Sequence, residues 1–294
     1  MSKKIKSLRT FKKDLNDFDD TSDNGYLESF VENDENGNVI REITFLADGT
    51  IEEKYEYRYD EKGNLIEELN YFSEDEIAER KTYVRDEKGK AIEAFIHYQD
   101  DTKDKIVYEY DDDGNLLKKS TINDDDETES EESFKYENGR LTVKELREFG
   151  EVIHREEFEY DEEGKITGQT ITGDREDGTI VNFFDGKGNL IKHLRYNEND
   201  KLIAKSVYTF DEKGNMTGIT EETPYEKNIS VMEYDNRGNM INQVQKGKNG
   251  ETNHTIKRKY NDRNDITEST VYINMHGQDV DVNYTMFYKY EYFG

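Results

Sequence analysis

A short pattern that returns every 24 to 26 residues constrains this chain more than anything else in it. An aromatic residue is followed by an acidic turn containing Gly, then by an apolar residue, as in Tyr59-Asp60-Glu61-Lys62-Gly63-Asn64-Leu65-Ile66. The residue before the turn is in succession Asn33, Tyr59, Arg85, Tyr110, Tyr136, Tyr160, Phe184, Phe210, Tyr234 and Tyr260, about ten units. A fixed period of this length marks a repeat architecture in which each unit packs mainly on its neighbours.

Within a unit the periodicity is that of a strand. Tyr55, Tyr57 and Tyr59 alternate with Lys54, Glu56 and Arg58, giving one aromatic and one charged face. Half a unit later comes a second, less regular turn, at Asp48-Gly49, Gly150, Asp177-Gly178, Asn199-Asp200 and Asn249-Gly250. Each unit therefore reads as two antiparallel strands of roughly 7–10 residues. The main turn suits a type I turn with a left-handed Gly, the three-residue hairpin loop with a bulge. Asp60 then faces Asn64 and Tyr59 faces Leu65, and the same arithmetic pairs Tyr110 with Leu116, Tyr160 with Ile166, Phe184 with Leu190, Phe210 with Met216 and Tyr234 with Met240.

Two variants keep the cross-strand pair while changing the turn. Asn138-Gly139 is a two-residue type I′ turn that still sets Tyr136 opposite Leu141. In the last unit Asn264 replaces Gly, the next residue most tolerant of positive φ. The third unit departs further, since Arg85 faces Ala91, and a weak or partly open place is expected there.

Such repeats predict an all-β fold of tandem β-hairpins, with a hairpin array over residues 27–294 and a short N-terminal segment over 1–26. About twenty strands in one meander exceed the ~10 that an open twisted sheet holds without curling. A coiled antiparallel meander, spiral or solenoid-like sheet is expected, or a closed shape, with the aromatic face inward and the charged face in water. Lys4 to Phe18 places Ile5, Leu8, Phe11 and Leu15 roughly on one helical face, so the segment reads as a helical cap or a docking element. At the other end, the aromatic run Met286 to Gly294 either closes the array or presents an edge for self-association.

The units YDEKGN, YDDDGN, YDEEGK, FDGKGN, FDEKGN and YDNRGN resemble the tyrosine–aspartate repeats of the bacterial RHS family over roughly residues 30–294. The resemblance implies strand-turn-strand repeats building a spiral sheet, often a hollow shell around a toxin segment. The variant YENGRL is also similar to the MORN-variant repeats of some antitoxin-type proteins. RHS toxins carry a core-associated motif and a variable C-terminal toxin; the run ending in MFYKYEYFG shows neither, so the resemblance bears on fold more than on toxin delivery.

Composition narrows the function classes. The 294 residues are 37% charged and only 32% hydrophobic, yet 12% aromatic with 21 Tyr and 14 Phe, which fits a folded chain with a thin core. A net charge of -28 repels nucleic-acid phosphate and anionic lipid and favours a basic partner. No Cys is present, which removes disulfides and thiolate metal sites, and no apolar stretch approaches the ~20 residues of a spanning helix. No signal peptide is read in the first residues, so the expected location is cytoplasmic, although export by a dedicated system leaves no such mark.

Chemistry-bearing motifs are absent from the sequence. His97, His154, His193, His254 and His276 lack metal-ligand spacing, and no G-x-S-x-G, H-E-x-x-H or P-loop pattern occurs. The acidic turns Asp111-Asp112-Asp113-Gly114-Asn115 and Asp34-Glu35-Asn36-Gly37-Asn38 lack the alternating ligands and distal Glu of a calcium loop. Asn123 to Glu129 reads as a longer solvated loop. No catalytic, cofactor or metal residue is expected. The leading expectation is a non-enzymatic scaffold that binds a basic protein, such as a toxin. The alternative is a structural shell or assembly component of an RHS-like toxin or secretion system.

Overall fold

A computed structural model describes residues 4–16, 22–173, 178–274 and 281–294. Asp177 of one expected turn, His276, and Asp17 and Phe18 of the expected N-terminal helix lie outside these residues. The first strands are β1 (Ile5–Asp14), β2 (Tyr26–Asn33), β3 (Val39–Phe45), β4 (Ile51–Tyr59), β5 (Leu65–Tyr71), β6 (Ile77–Arg85), β7 (Ala91–Tyr98) and β8 (Lys103–Tyr110). They are followed by β9 (Leu116–Ile122), β10 (Thr128–Glu137), β11 (Arg140–Glu148), β12 (Glu151–Tyr160), β13 (Ile166–Gly173), β14 (Gly178–Phe184) and β15 (Leu190–Asn197). The last are β16 (Leu202–Phe210), β17 (Met216–Glu222), β18 (Lys227–Tyr234), β19 (Met240–Lys246), β20 (Thr252–Tyr260), β21 (Ile266–Ile273) and β22 (Val282–Tyr292).

Every strand pairs antiparallel with its neighbours in sequence, and β1 also pairs with β22, so the 22 strands form a closed barrel. Closure corrects the expectation of a spiral or solenoid-like sheet. The expected N-terminal helix is also corrected: Ile5–Asp14 is a strand, and Phe11 lies opposite both Leu27 and Phe287. A free ribbon of this length has two unpaired edges, and β1 and β22 satisfy each other's backbone groups. The aromatic last strand thus closes the array, with both its edges already paired.

The expected cross-strand pairs are found. Tyr59 faces Leu65, Tyr110 faces Leu116, Tyr160 faces Ile166, Phe184 faces Leu190, Phe210 faces Met216 and Tyr234 faces Met240. Tyr136 faces Leu141 across the shorter turn. Asp60 N–H donates to Asn64 C=O at 2.9 Å and Gly63 N–H to Asp60 C=O at 3.0 Å, with Gly63 at φ 83° and Asn264 of the last unit at φ 67°. Immediately beyond each pair the register slips by one residue, as between Arg58↔Glu67 and Tyr59↔Leu65. This second bulge at Leu65-Ile66, beyond the one expected at the turn Gly, turns Glu67 to the face of Arg58 and raises local twist, which helps the sheet bend round on itself.

Strand residues such as Arg58, Glu109, Lys135, Glu159, Thr209, Glu233 and Lys259 are exposed, whereas the aromatic residues that alternate with them are shielded. The aromatic face is accordingly the inner one. Twenty-two strands at ~4.8 Å give a perimeter of about 105 Å, far more than the 8 strands whose inward side chains fill a barrel. The buried hydrophobic side chains are correspondingly few: Leu69, Ala94, Ile106, Leu194, Met232 and Val271 among the described residues. The accessible surface of 18629 Å² exceeds the about 13,000 Å² of a compact monomer of this mass, as a hollow wall one sheet thick should.

Candidate functional site

Turn chemistry occupies the carboxylates that head the repeats. Asp60 Oδ1 accepts from Lys62 N–H at 2.9 Å and Asn64 N–H at 2.8 Å, while Oδ2 accepts from Asn64 Nδ2 at 2.8 Å. Asp34 with Asn38 and Asp111 with Asn115 repeat the arrangement, so these carboxylates are directed into their own turns rather than toward an ion. Hydrogen bonds from Asn64 and Asn115 hold the Asp60 and Asp111 carboxyls below their ordinary range. The last unit reverses the pair: Asn261 Nδ2 donates to Asp265 Oδ2 at 3.1 Å and Asn261 Oδ1 accepts from Asp265 N–H at 3.0 Å. Among the described residues no group of three or more His, Asp or Glu side chains has the geometry to hold a metal.

A second set of bonds links successive units. The hydroxyl of Tyr59 donates to Val39 C=O at 2.8 Å, Tyr110 to Ala91 C=O at 2.8 Å, Tyr160 to Leu141 C=O at 2.7 Å, Tyr234 to Met216 C=O at 2.8 Å and Tyr260 to Met240 C=O at 2.8 Å. The acceptor is each time the residue that faces the preceding unit's own pre-turn position, where the bulge begins. In the third unit Arg85 takes this place, donating from Nη2 and Nε to Leu65 C=O at 2.6 and 3.1 Å and from Nη1 to Gly89 C=O at 2.9 Å. The expected weak place is thus a continuous ladder, with Arg85 opposite Ala91 as the arithmetic requires.

The inner wall also carries a polar string that sequence spacing did not reveal. Gln169 Nε2 on β13 donates to Glu156 Oε2 on β12 at 2.7 Å, and Asn182 Nδ2 on β14 donates to Gln169 Oε1 at 2.9 Å. His193 Nδ1 on β15 lies 2.8 Å from Asn182 Oδ1. Glu156 can only accept, which orients both amides and makes His193 Nδ1 the donor at the end of the string. Lys144 Nζ and His154 Nε2 each lie 3.3 Å from Glu156 Oε1. Burial and then Arg195 push the His193 imidazole down, toward its neutral form; burial lowers His254 as well. His97 is on another part of the wall, 3.3 Å from Thr82 Oγ1. The only sequence trace of the string is a polar residue at the inward position of successive strands, which looks like ordinary surface until register is known.

Charge is divided unevenly between wall and ends. The 22 strands hold 28 Lys and Arg and 28 Asp and Glu, so the net charge of -28 lies entirely between strands and at the chain ends. On the wall, Arg58 and Arg80 pair with the buried Glu67, Lys105 with Glu93, Lys118 with Glu131 and Arg155 with Glu145. Asn123–Glu127, expected as a longer loop, is a tight turn of the same kind as the others, and β10 resumes at Thr128. The grooves on the wall are open; one of about 510 Å³ is lined by Ile229, Val231, Val244, Lys246 and Lys248.

Known structures with similar chain paths share little sequence with this chain. A crystal structure of the TcdB2–TccC3–Cdc42 complex is similar at 12% identity and a TM-score of 0.43, over 88% of this chain and 17% of that one. The Photorhabdus luminescens Tc holotoxin pore is similar at 12% identity and a TM-score of 0.41, over 84% of this chain and 16% of that one. A porin-like protein from Bacteroides uniformis is similar at 10% identity and a TM-score of 0.35, over 98% of both chains. The chain therefore spans about a sixth of the length of the two toxin chains it matches. No family model and no curated protein matches the sequence. What holds at this level is the architecture, an antiparallel hairpin meander closed into a barrel.

Proposed function

We propose that this barrel is a non-enzymatic scaffold that binds a basic protein partner through its open ends. The observation that supports this reading is the charge division: the strands are electrically balanced, and the whole acidic excess lies between strands and at the chain ends. Carboxylates matched across strands stabilise the wall and attract nothing further, whereas unmatched ones at the ends steer a cationic surface toward them. The inner string ending at His193 is buttressed by amides from strand to strand, and we read it as wall structure. Affinity capture from the source organism, followed by mass spectrometry, tests the proposal. A dominant basic partner whose retention falls with salt is expected; recovery of neither partner nor self-multimers would overturn it.

The hollow interior favours one second reading, a shell component of an RHS-like system, in line with the resemblance of the repeats. That role predicts cargo within the barrel or homo-multimers alone. Closure of β1 on β22 weighs against it, because a wall with no free strand edge has no backbone with which to extend a shell.

A further inference from the structure

The two ends of the barrel are built on the same turn geometry with different chemistry at its first position. On the repeat-turn end that position is Asp, whose N–H reaches the C=O four residues on and whose carboxylate caps the turn. On the opposite end the same backbone bond is made by Leu46, Phe72 and Tyr98, to Thr50, Glu76 and Thr102, while Asn123 and Asn197 keep a side-chain cap at the first position of their turns. An apolar side chain there caps nothing, and it is not buried either: Phe72 is 79% exposed and Leu46 46%.

Phe149, in the β11–β12 turn of the same end, departs further from what the fold requires. It has φ 48° ahead of Gly150 at φ 85°, the left-handed pair that Asn-Gly supplies at Asn138 and Gly139 in the β10–β11 turn at the other end of β11. A bulky aromatic resists positive φ, and this one is 75% exposed, so neither backbone preference nor burial accounts for it. Its N–H is bonded to Glu129 C=O at 2.8 Å, which sets it beside the Asn123–Glu127 turn.

The five consecutive turns of this arc, 46–50, 72–76, 98–102, 123–127 and 149–150, contain ten carboxylates and no Lys or Arg. We infer that this arc, with Phe72 and Phe149 as apolar anchors among those carboxylates, is the docking surface for a protein segment that alternates basic and aromatic or apolar side chains. Aromatic anchors supply the apolar contact and the surrounding carboxylates select a cationic partner and hasten its approach. A lipid surface fits less well, since ten carboxylates oppose the phosphates of a bilayer. This inference rests on the proposed binding function and adds which end performs it.

The test uses the full chain and a fluorescent peptide of alternating Lys and Trp, with binding read by anisotropy at low and physiological salt. Phe149→Asn together with Phe72→Ser is expected to weaken binding about tenfold or more. Phe149→Asn alone is expected to raise Tm, because Asn tolerates the left-handed backbone, so loss of binding with gain of stability separates a contact role from a structural one. Asp112→Asn with Glu61→Gln, on the other end, should leave affinity within about twofold. Unchanged affinity in the Phe variants with loss in the opposite-end variant would overturn the inference while leaving the binding function standing. Failure of the peptide to bind the unaltered chain at any salt would overturn both. Retention on zwitterionic vesicles, lost with the Phe variants, would assign the arc to a membrane surface and overturn the protein partner.

Discussion

Individual residues divide here into those that the backbone demands and those that it tolerates. Gly63 is demanded: at φ 83° a β-branched side chain meets its own backbone, and Gly63→Val is expected to destabilise by about 1–2 kcal/mol, read from the urea midpoint. The Asp–Asn pair is demanded as a pair rather than in one order, since Asn261 and Asp265 hold the same turn with the roles exchanged. Exchanging Asp60 and Asn64 should therefore leave the midpoint near that of the parent, whereas Asp60→Ala alone should lower it. The imidazoles respond to acid in a fixed direction. His193 and His254 are lowered from 6.5 in the folded barrel, so the unfolded chain takes up protons first and stability falls as pH drops below about 6.5 through the folded values. His193→Gln should flatten the dependence of the urea midpoint on pH between about pH 7 and pH 5.5; an unchanged slope would show that His193 does not carry it. A second decline belongs below about pH 4, where the lowered Asp60, Asp111, Asp211 and Asp235 carboxyls gain protons.

At the scale of strands and turns, the unit is a hairpin that in five cases a tyrosine, and in one Arg85, ties to the hairpin before, whereas Phe184 and Phe210 have no hydroxyl to do so. The Arg85 substitution tests this directly. Arg85→Ala removes the guanidinium donors to Leu65 C=O and is expected to cost about 1–3 kcal/mol, while Arg85→Tyr restores the bond used by Tyr59 and Tyr110 and should recover most of the loss. Equal losses in the two variants would show that the tie is not what holds this place together. Hairpins, turns and the Tyr–Leu pairs were legible because each is local: periodicity two, a Gly at a fixed offset and an apolar residue six positions on. The second bulge, at Leu65-Ile66, was not, because one extra residue in a ladder has no composition of its own. Arg85 was misjudged for a related reason, since its long fork reaches a carbonyl twenty residues back that is a neighbour only once the register is set.

For the whole molecule, closure is the property that local pattern cannot supply. Residues 5–14 alternate weakly enough to suit a helix, and what makes them β1 is the pair of open edges waiting at β2 and β22. Removing residues 1–16 should leave those edges bare and convert the chain to a self-associating form, detected as higher mass in light scattering; a monodisperse product of unchanged size would contradict the account of closure. The inner polar string was illegible for the same reason, since Glu156, Gln169, Asn182 and His193 become adjacent only when four strands are stacked in register.

Closure also sets a clock. Nearly all pairing joins strands made within seconds of each other, but Phe11 must wait for Phe287. At ~5–20 residues per second of synthesis, that delay is about a quarter of a minute to a minute, during which β1 holds only one partner and each newest hairpin offers a bare edge. A ribosome carrying this chain therefore displays a growing, unfinished sheet for most of the time of its making. The charged side chains along the outer wall would then guard the nascent ribbon against neighbouring copies before the ring exists.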